Sequence, residues 1–390
     1  MKVLFYNAVI VGETDVLNYN AVSVTDGKID GFLNEYNLSD YDVVLDVKNN
    51  YLLPGFVDIH VHGGGGFDFM DGTADAFDKV VTTHLRHGTT TIYPTTMSES
   101  FDDILTCLDA FKNYKQNYKQ TSNVVGLHLE GPFLSPKMCG AQRPDLIIKP
   151  TKKEVEIIAK NAGVIKRISC APEVDGVLDM AKSLLPLGIS FSMGHTNATF
   201  NEAKTAYEAG FSSITHLYSA TSGFFKVNQK VHIGVTQYAY AQESIYAELI
   251  SDTCHVPKEL LSLVAKFKGV DKVCMVTDAM RAAGTDVTES YLGKINPKNR
   301  VIIEDGVAKL PDRSFFAGSI GTMDKAVRFA IKDALFSISD ACKMASLTPA
   351  TLMGINKTKG SIAVGKDADF VIADKNINVL SVITNGQKVY

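Results

Sequence analysis

Eight short β-rich runs alternate with longer helical segments through the middle of this 390-residue chain. Helical segments such as "ADAFDKVVTTHLRH" and "KELLSLVAKF" follow most of the runs. Strands that alternate with helices favour βα units and a parallel sheet. Eight units are the number that a (β/α)8 TIM barrel requires, so we predict this α/β fold. The runs begin at Phe56, Thr89, Asn123, Ile165, Gly188, Ser212, Ser244 and Lys272.

The two ends of the chain have a different pattern from this middle part. Residues 1–53 and 357–390 carry short β-rich runs between turn signals, such as the Asn-Gly pair at 385–386. Runs of this kind predict strands without intervening helices. We therefore predict that both ends together form one small β-sandwich beside a barrel of residues 54–356.

Composition and charge narrow the class of partner. A formal net charge of −4, with 45% hydrophobic and 21% charged residues, is typical of a soluble globular protein with a large core. The chain has no basic stripe for nucleic-acid phosphates and no cationic amphipathic face for a membrane surface. We therefore expect a small-molecule substrate, with no nucleic-acid or membrane partner.

Cysteine spacing and the absence of a targeting pattern bear on the compartment. Six cysteines are scattered without CxxC pairs, which suggests neither a disulfide framework nor a thiolate zinc site. No run approaches the ~20 apolar residues that a membrane helix needs, and the first residues lack a small-residue cleavage site. We expect a cytoplasmic protein.

The predicted strands end in side chains that ligate metals. The segment "PGFVDIHVHGGGG" (54–66) closes the first strand with His60 and His62, whose spacing of two places both on one face. The glycines behind them let the chain turn sharply and leave this strand end open. Strand ends of such a barrel point into the active-site mouth, and imidazoles with carboxylates suit a divalent metal. The other strand-end candidates are Glu130, His195, His216 and Asp278.

Any one of these histidines alone would more simply be a satisfied core residue, because histidine is of intermediate burial. Six ligand-type residues at the matching ends of five strands favour a metal centre. Three other histidines are not expected to be ligands. His128, two residues before Glu130, is predicted to pack beneath the site, and His84 and His87 are predicted to lie on a solvated helix face.

Motifs along nearly the whole chain resemble the amidohydrolase superfamily and, within it, the N-acetylglucosamine-6-phosphate deacetylases. The HxH motif and the late aspartate are widespread in amidohydrolases, whereas "LEGPF", "VTDAMRAAG" and "AGS" followed by "TMDKAVR" are more specific. The resemblance implies hydrolysis of the acetamide of N-acetylglucosamine 6-phosphate to glucosamine 6-phosphate and acetate. It also implies a homodimer, because the family's phosphate contacts include groups across a subunit interface.

The same resemblance implies roles for the strand-end residues. Glu130, His195 and His216 would hold one metal, with Glu130 placed to bridge to a second. Because His60 and His62 are present, one or two ions are expected, and nitrogen and oxygen ligands accept either zinc or iron. Asp278 is expected to ligate metal and to be the catalytic base and then the acid that protonates the departing amine.

The substrate side of the resemblance departs from the family at three places. Gln142 stands where the family usually has the histidine of "GAH", and Ser219, before Ala220, stands where it has an asparagine. The loop that normally carries a phosphate-binding arginine reads "TSGFFKVNQK". His255 resembles a family histidine that faces the substrate. The candidate phosphate-binding cations are therefore His255, Lys226 and Arg143.

Other functions remain open from the sequence. The same centre would serve a deacetylase of another N-acetylated amino sugar, of a different epimer or unphosphorylated, or act on an N-acyl amino acid. A non-catalytic sugar-phosphate binding protein is a third hypothesis, which the presence of Asp278 and all the metal-type residues argues against.

Overall fold

The structure, a computed structural model, describes residues 1–390 and has a parallel β-barrel at its centre. Neighbouring barrel strands pair in parallel from the first to the eighth. The barrel closes between strands 8 and 1, where Asp278 N donates to His60 O at 2.9 Å and Val61 forms a bridge with Ala279. The predicted (β/α)8 fold is confirmed. Barrel strands 1 to 8 are Phe56–Val61, Thr89–Thr96, Leu127–Glu130, Ile165–Cys170, Ser190–Met193, Ser213–Ile214, Tyr246–Ile250 and Val273–Val276.

Helices surround this barrel and bury their apolar faces in one continuous core with it. Their starts follow from local sequence: the Thr151 and Thr199 side chains accept hydrogen bonds from the first-turn amides, and Glu154 and Glu202 complete two capping boxes. The helices are Ala74–Arg86, Phe101–Asn117, Lys152–Lys160, Val177–Leu184, Phe200–Glu208, Val235–Ala241, Lys258–Lys268, Met323–Lys332, Ile338–Ala345 and Leu347–Leu352. None of them is long and apolar enough to cross a membrane.

The two chain ends form the predicted β-sandwich. Its sheets share one core, in which the Phe5 ring meets the Phe370 ring edge-on at 5.2 Å. One sheet contains Lys2–Tyr6, Ala21–Thr25, Lys28–Leu33 and Val43–Asp46. The other contains Val9–Ile10, Tyr51–Pro54, Phe370–Ala373, Val379–Thr384 and Gln387–Lys388. The sandwich is confirmed, while the limits 1–53, 54–356 and 357–390 stay a prediction.

A cluster of ion pairs connects the C-terminal segment to the N-terminal sheet. Lys359 Nζ lies 2.5 Å from Asp369 Oδ2 and 2.9 Å from Asp367 Oδ2. Asp367 also pairs with Lys28 of the N-terminal sheet. Because an unpaired buried charge is strongly destabilising, the buried Lys359–Asp369 pair stabilises this part of the sandwich, and the more exposed Lys28–Asp367 pair joins it to the N-terminal sheet.

Three insertions follow the carboxyl ends of barrel strands and build up the rim of the barrel. They come after strand 1, after strand 6 and after strand 8. Their strands are Gly63–Gly64 with Phe67–Asp68, Phe225–Val227 with Lys230–His232, and Glu289–Tyr291 with Arg300–Glu304 and Val307–Lys309. A further short strand, Asn123–Val124, pairs with strand 2.

Candidate metal centre and active site

Glu130, at the end of strand 3, is the hub of the first ligand group. Its Oε1 lies 2.9 Å from His216 Nε2, 3.2 Å from His195 Nε2 and 3.4 Å from His60 Nε2. All four side chains are nearly or fully buried. One set of atoms suited to holding an ion comes from His60, Glu130 and His216.

The second group lies beside the first and shares His60 with it. His62 Nε2 lies 3.1 Å from Asp278 Oδ1 and 3.2 Å from His60 Nε2. The ligand atoms of His60, His62 and Asp278 all lie within 4.8 Å of one another. The structure thus brings all six predicted ligands together at the carboxyl ends of five strands.

Three of these six residues have strained backbones. The φ angles of His195, His216 and Asp278 are 46°, 30° and 46°, and each residue comes two positions after the last residue of its strand. Such conformations cost on the order of 1–3 kcal/mol each and cluster at functional sites. A neighbouring glycine permits one of them, since a Cβ on Gly318 would lie only 3.0 Å from Asp278 O.

Hydrogen bonds on the far side of two imidazole rings fix their tautomers. His195 Nδ1 donates to Met138 O at 2.8 Å, and His216 Nδ1 donates to Ser219 O at 3.0 Å. Because a carbonyl oxygen can only accept, each Nδ1 carries a hydrogen, and Nε2 is the ring nitrogen left for a metal ion.

These Nε2 atoms face carboxylate oxygens in a buried place. Burial alone would raise the pKa of Glu130, but the His195 and His60 imidazoles beside it bring that pKa well below its ordinary value. Burial would likewise raise the pKa of Asp278, and His60 and His62 lower it. Two ionised carboxylates in a buried place need positive charge beside them, and a divalent metal that takes the place of ring protons fits this set of nitrogen and oxygen ligands.

Gln142 binds Oε2, the second carboxylate oxygen of Glu130. Its Nε2 donates to Glu130 Oε2 at 2.6 Å, while its Oε1 accepts from Ser98 N at 2.8 Å. The backbone donor leaves only one orientation for the amide, with its NH2 group toward Glu130. The same Nε2 lies 3.5 Å from His195 Nε2.

A cavity of about 370 Å³ opens above the six ligands. This volume lies within the range of small-molecule sites. His255 stands at its side: its Nδ1 donates to Asp252 Oδ2 at 2.8 Å, and its ring packs on the Phe316 ring at 4.8 Å. Other lining residues are Ser219, Ala220, Gln142, Met97, Leu292 and Phe315.

The candidate phosphate-binding cations lie in different places in the structure. Lys226 lies on the exposed hairpin after strand 6, outside the cavity lining. Arg143 pairs with Asp145 and borders a neighbouring small cavity instead. Lys137 is the one lysine or arginine that lines the main cavity. It lies in "LSPKMCGAQ", a segment that points to the site, although the resemblance gives this lysine no role.

The histidines outside the centre follow the sequence interpretation only in part. His128 is fully buried beneath the site, with its Nε2 2.7 Å from Ser169 Oγ. The prediction of a solvated helix face is wrong for His84, which is fully buried with its Nε2 2.9 Å from Gly63 O. The glycine-rich turn after strand 1 covers this helix face. His87 pairs with Asp324 at 3.1 Å.

A (β/α)8 barrel whose strands end in carboxylates and imidazoles beneath a cavity has the architecture of a metal-dependent hydrolase. The amidohydrolase family model matches residues 51–389, and the chain belongs to the amidohydrolase family. It is 33% identical to N-acetylglucosamine-6-phosphate deacetylase of Bacillus subtilis strain 168, covering 99% of this chain and 96% of the relative.

Two further similarities concern a structure and a second sugar. The crystal structure of N-acetylglucosamine-6-phosphate deacetylase from Pasteurella multocida superposes with a TM-score of 0.90 at 30% identity, covering 100% of this chain and 99% of that one. The N-acetylgalactosamine-6-phosphate deacetylase of Escherichia coli O157:H7 is 29% identical, covering 86% of this chain and 87% of the relative.

We predict that the purified protein contains tightly bound divalent transition metal and that chelation abolishes hydrolysis. Alanine at Glu130, His195 or His216 should remove metal and activity together, because these side chains surround one position. Alanine at His60 or His62 should remove at most one of two ions. Metal per subunit, measured beside activity, tests this.

The exposed His232, on the hairpin after strand 6, offers a matched control for these histidine variants. His232→Ala should leave metal content unchanged. Full activity in thoroughly metal-free wild-type protein would contradict the metal-dependence prediction.

Proposed function

We propose that this protein hydrolyses the acetamide of N-acetylglucosamine 6-phosphate to glucosamine 6-phosphate and acetate. The observation that carries the proposal is the convergence of six metal-type side chains beneath a cavity that also holds an exposed cation, Lys137. The similarity to N-acetylglucosamine-6-phosphate deacetylases over nearly the whole chain supports the choice of substrate.

One or two divalent ions, zinc or iron, would be held by the six side chains of the centre. When bound, such an ion would lower the pKa of a water molecule toward neutrality and polarise a carbonyl oxygen. Gln142 holds Glu130 in one orientation through its 2.6 Å hydrogen bond, which keeps the hub carboxylate in place as the substrate enters.

Asp278 is the proposed proton carrier of the reaction. It is an ionised carboxylate at the cavity floor. Burial would raise its pKa, but the imidazoles of His60 and His62 lower the pKa below its ordinary value. Its side chain accepts a proton from the attacking water as the carbon–oxygen bond forms. The same proton then passes to the amine nitrogen as the carbon–nitrogen bond breaks, which releases acetate and the amino sugar.

We predict that Asp278→Asn keeps most substrate binding but loses turnover, because an amide can neither accept the water's proton nor return it. General acid–base catalysis is typically worth ~10² to 10⁴ in rate, so kcat should fall by at least that order. Steady-state kinetics and substrate binding at fixed metal content measure both quantities. Asp175→Asn, at an exposed aspartate, is the control; a D278N variant within a few-fold of wild type would place the base elsewhere.

Recognition of the 6-phosphate is proposed to involve Lys137 and His255. Asp252 accepts from His255 Nδ1, so the other ring nitrogen is left for a ligand, and Phe316 supports the ring. A phosphate that leaves water needs charge-assisted partners, and Lys137 supplies the one lysine or arginine in the lining. Lys226 and Arg143 lie outside the cavity lining, so a second subunit or a loop movement would have to bring their side chains to the phosphate.

We predict that kcat/KM for N-acetylglucosamine 6-phosphate exceeds that for the unphosphorylated sugar by at least ~10². A hydrogen bond to a charged group contributes ~1.5 to 3 kcal/mol, so one or two contacts account for this ratio. Lys137→Gln should reduce the ratio roughly tenfold or more and leave hydrolysis of the unphosphorylated sugar almost unchanged.

Lys149→Gln, at an exposed lysine outside the cavity, is the matched control. Equal rates on the two sugars would reject the phosphate assignment and favour an unphosphorylated amino sugar. The second candidate substrate is N-acetylgalactosamine 6-phosphate, favoured by the similarity to deacetylases of that sugar. Faster turnover of the galacto epimer would replace the leading proposal.

We also propose a homodimer in the cytoplasm. The hairpin after strand 6 exposes apolar side chains, with Phe224 75% and Val231 62% exposed, and Lys226 lies between them in sequence. Six free cysteines suit a reducing compartment. Sedimentation should give a dimer that the double variant F224D/V231D converts to monomers; a monomeric wild type would exclude the dimer.

A further inference from the structure

A fully buried ion pair lies inside the barrel, away from the cavity. Arg167 on strand 4 and Glu248 on strand 7 have no exposed surface and are in direct contact. The interior of a (β/α)8 barrel is normally filled by branched aliphatic side chains. A charged pair in this place is therefore unusual.

The pair lies directly beneath the metal centre. Ile250 lines the cavity, and Glu248, two residues earlier on the same strand, points to the same side one layer deeper. From there, Glu248 Oε2 faces His60 Nδ1 at 3.4 Å and is the only hydrogen-bond partner of that nitrogen.

Arg167 holds this carboxylate in place. Its Nη2 donates to Glu248 Oε1 and to Ser213 Oγ, the latter at 3.0 Å. Because Oε1 is engaged by the guanidinium, Oε2 is the oxygen left for His60. Burial lowers the pKa of Arg167 to about 10, so its side chain is still a cation at neutral pH.

Stability alone gives little reason for such a pair. Desolvation of two charges consumes much of their attraction, and apolar residues of similar volume are often as stable or more stable in their place. The contact with His60 provides a reason, since a carboxylate behind a ligating histidine sets the ring's orientation and its basicity.

The support of the four histidines is unequal. His195 and His216 are held by backbone carbonyl oxygens, and His62 Nδ1 has no hydrogen-bond partner. Among them, His60 alone is supported by a carboxylate, and its Nε2 lies 3.4 Å from Glu130 Oε1 and 3.5 Å from Asp278 Oδ1, between both ligand groups.

We propose that Arg167 and Glu248 are positioning residues that orient His60 and thereby set the affinity for a second metal ion at the position formed with His62 and Asp278. This inference rests on the proposed metal centre and adds two residues that affect one of its two metal positions. Loss of a carboxylate behind a metal-ligating histidine typically weakens metal binding about 10- to 100-fold.

The decisive variant is the double substitution R167M/E248L, which removes both charges together and replaces them with apolar side chains, so that neither charge is left buried without a partner. Metal-free protein is titrated with Co²⁺, followed by visible absorption and by cobalt per subunit after gel filtration. We expect the first ion, which Glu130, His195 and His216 can hold without His60, to bind as in wild type and the second to bind about 10- to 100-fold more weakly. No substrate is present, so the result is independent of which amide is hydrolysed.

Two further variants complete the test. E248Q keeps an oxygen acceptor for His60 without the charge and should weaken the second ion less than R167M/E248L; it also decides the matter where the double variant does not fold. D369N breaks another buried ion pair, in the sandwich, and should lower stability without changing cobalt binding.

Unchanged second-ion affinity in both Glu248 variants would overturn the inference, as would a wild-type protein that binds only one ion. An equal loss in D369N would assign the effect to general destabilisation and overturn it as well. A wild type that binds two ions but does not hydrolyse acetylated sugars would instead refute the proposed function and leave this inference standing.

Discussion

Buried negative charge at the barrel mouth is the constraint on which the rest of the site depends. Glu130 and Asp278 contribute ionised oxygens, and the Nε2 atoms of His216 and His62 face them. Without positive charge this arrangement would be costly, because buried charge needs a partner. Gln142 supplies one donor to Glu130, and a divalent cation would supply the remaining charge.

The same residues close the barrel and build the site. The backbone of Asp278 donates to His60 O across the seam between strands 8 and 1, while their side chains belong to the ligand set. Any shift in the seam would therefore move ligands, which ties the geometry of the centre to the packing of all eight strands. The strained backbones at His195 and His216 are held by this surrounding structure.

Local patterns account for what the sequence predicts well. The alternation of strands and helices indicates the barrel, and the spacing of two between His60 and His62 indicates a shared face. Arg167 and Glu248 are 81 residues apart, and Glu248 is 188 residues from His60, so their contacts depend on the closed barrel and leave no local signal. Loop residues such as Lys137 are equally hard to predict, because no periodicity sets their direction.

Charge separation within the cavity determines how the proposed substrate would lie. The floor carries the carboxylates of Glu130 and Asp278, whereas the exposed Lys137 brings positive charge from the side of the solvent. Once a divalent ion neutralises these carboxylates, Lys137 is the remaining cationic lysine or arginine of the lining, so it would hold the phosphate on the solvent side and leave the neutral acetamide toward the floor. This orientation does not depend on the configuration of an uncharged ring hydroxyl. In the proposed function, discrimination between the gluco and galacto epimers would therefore depend on uncharged lining residues such as Ser219 and Phe316.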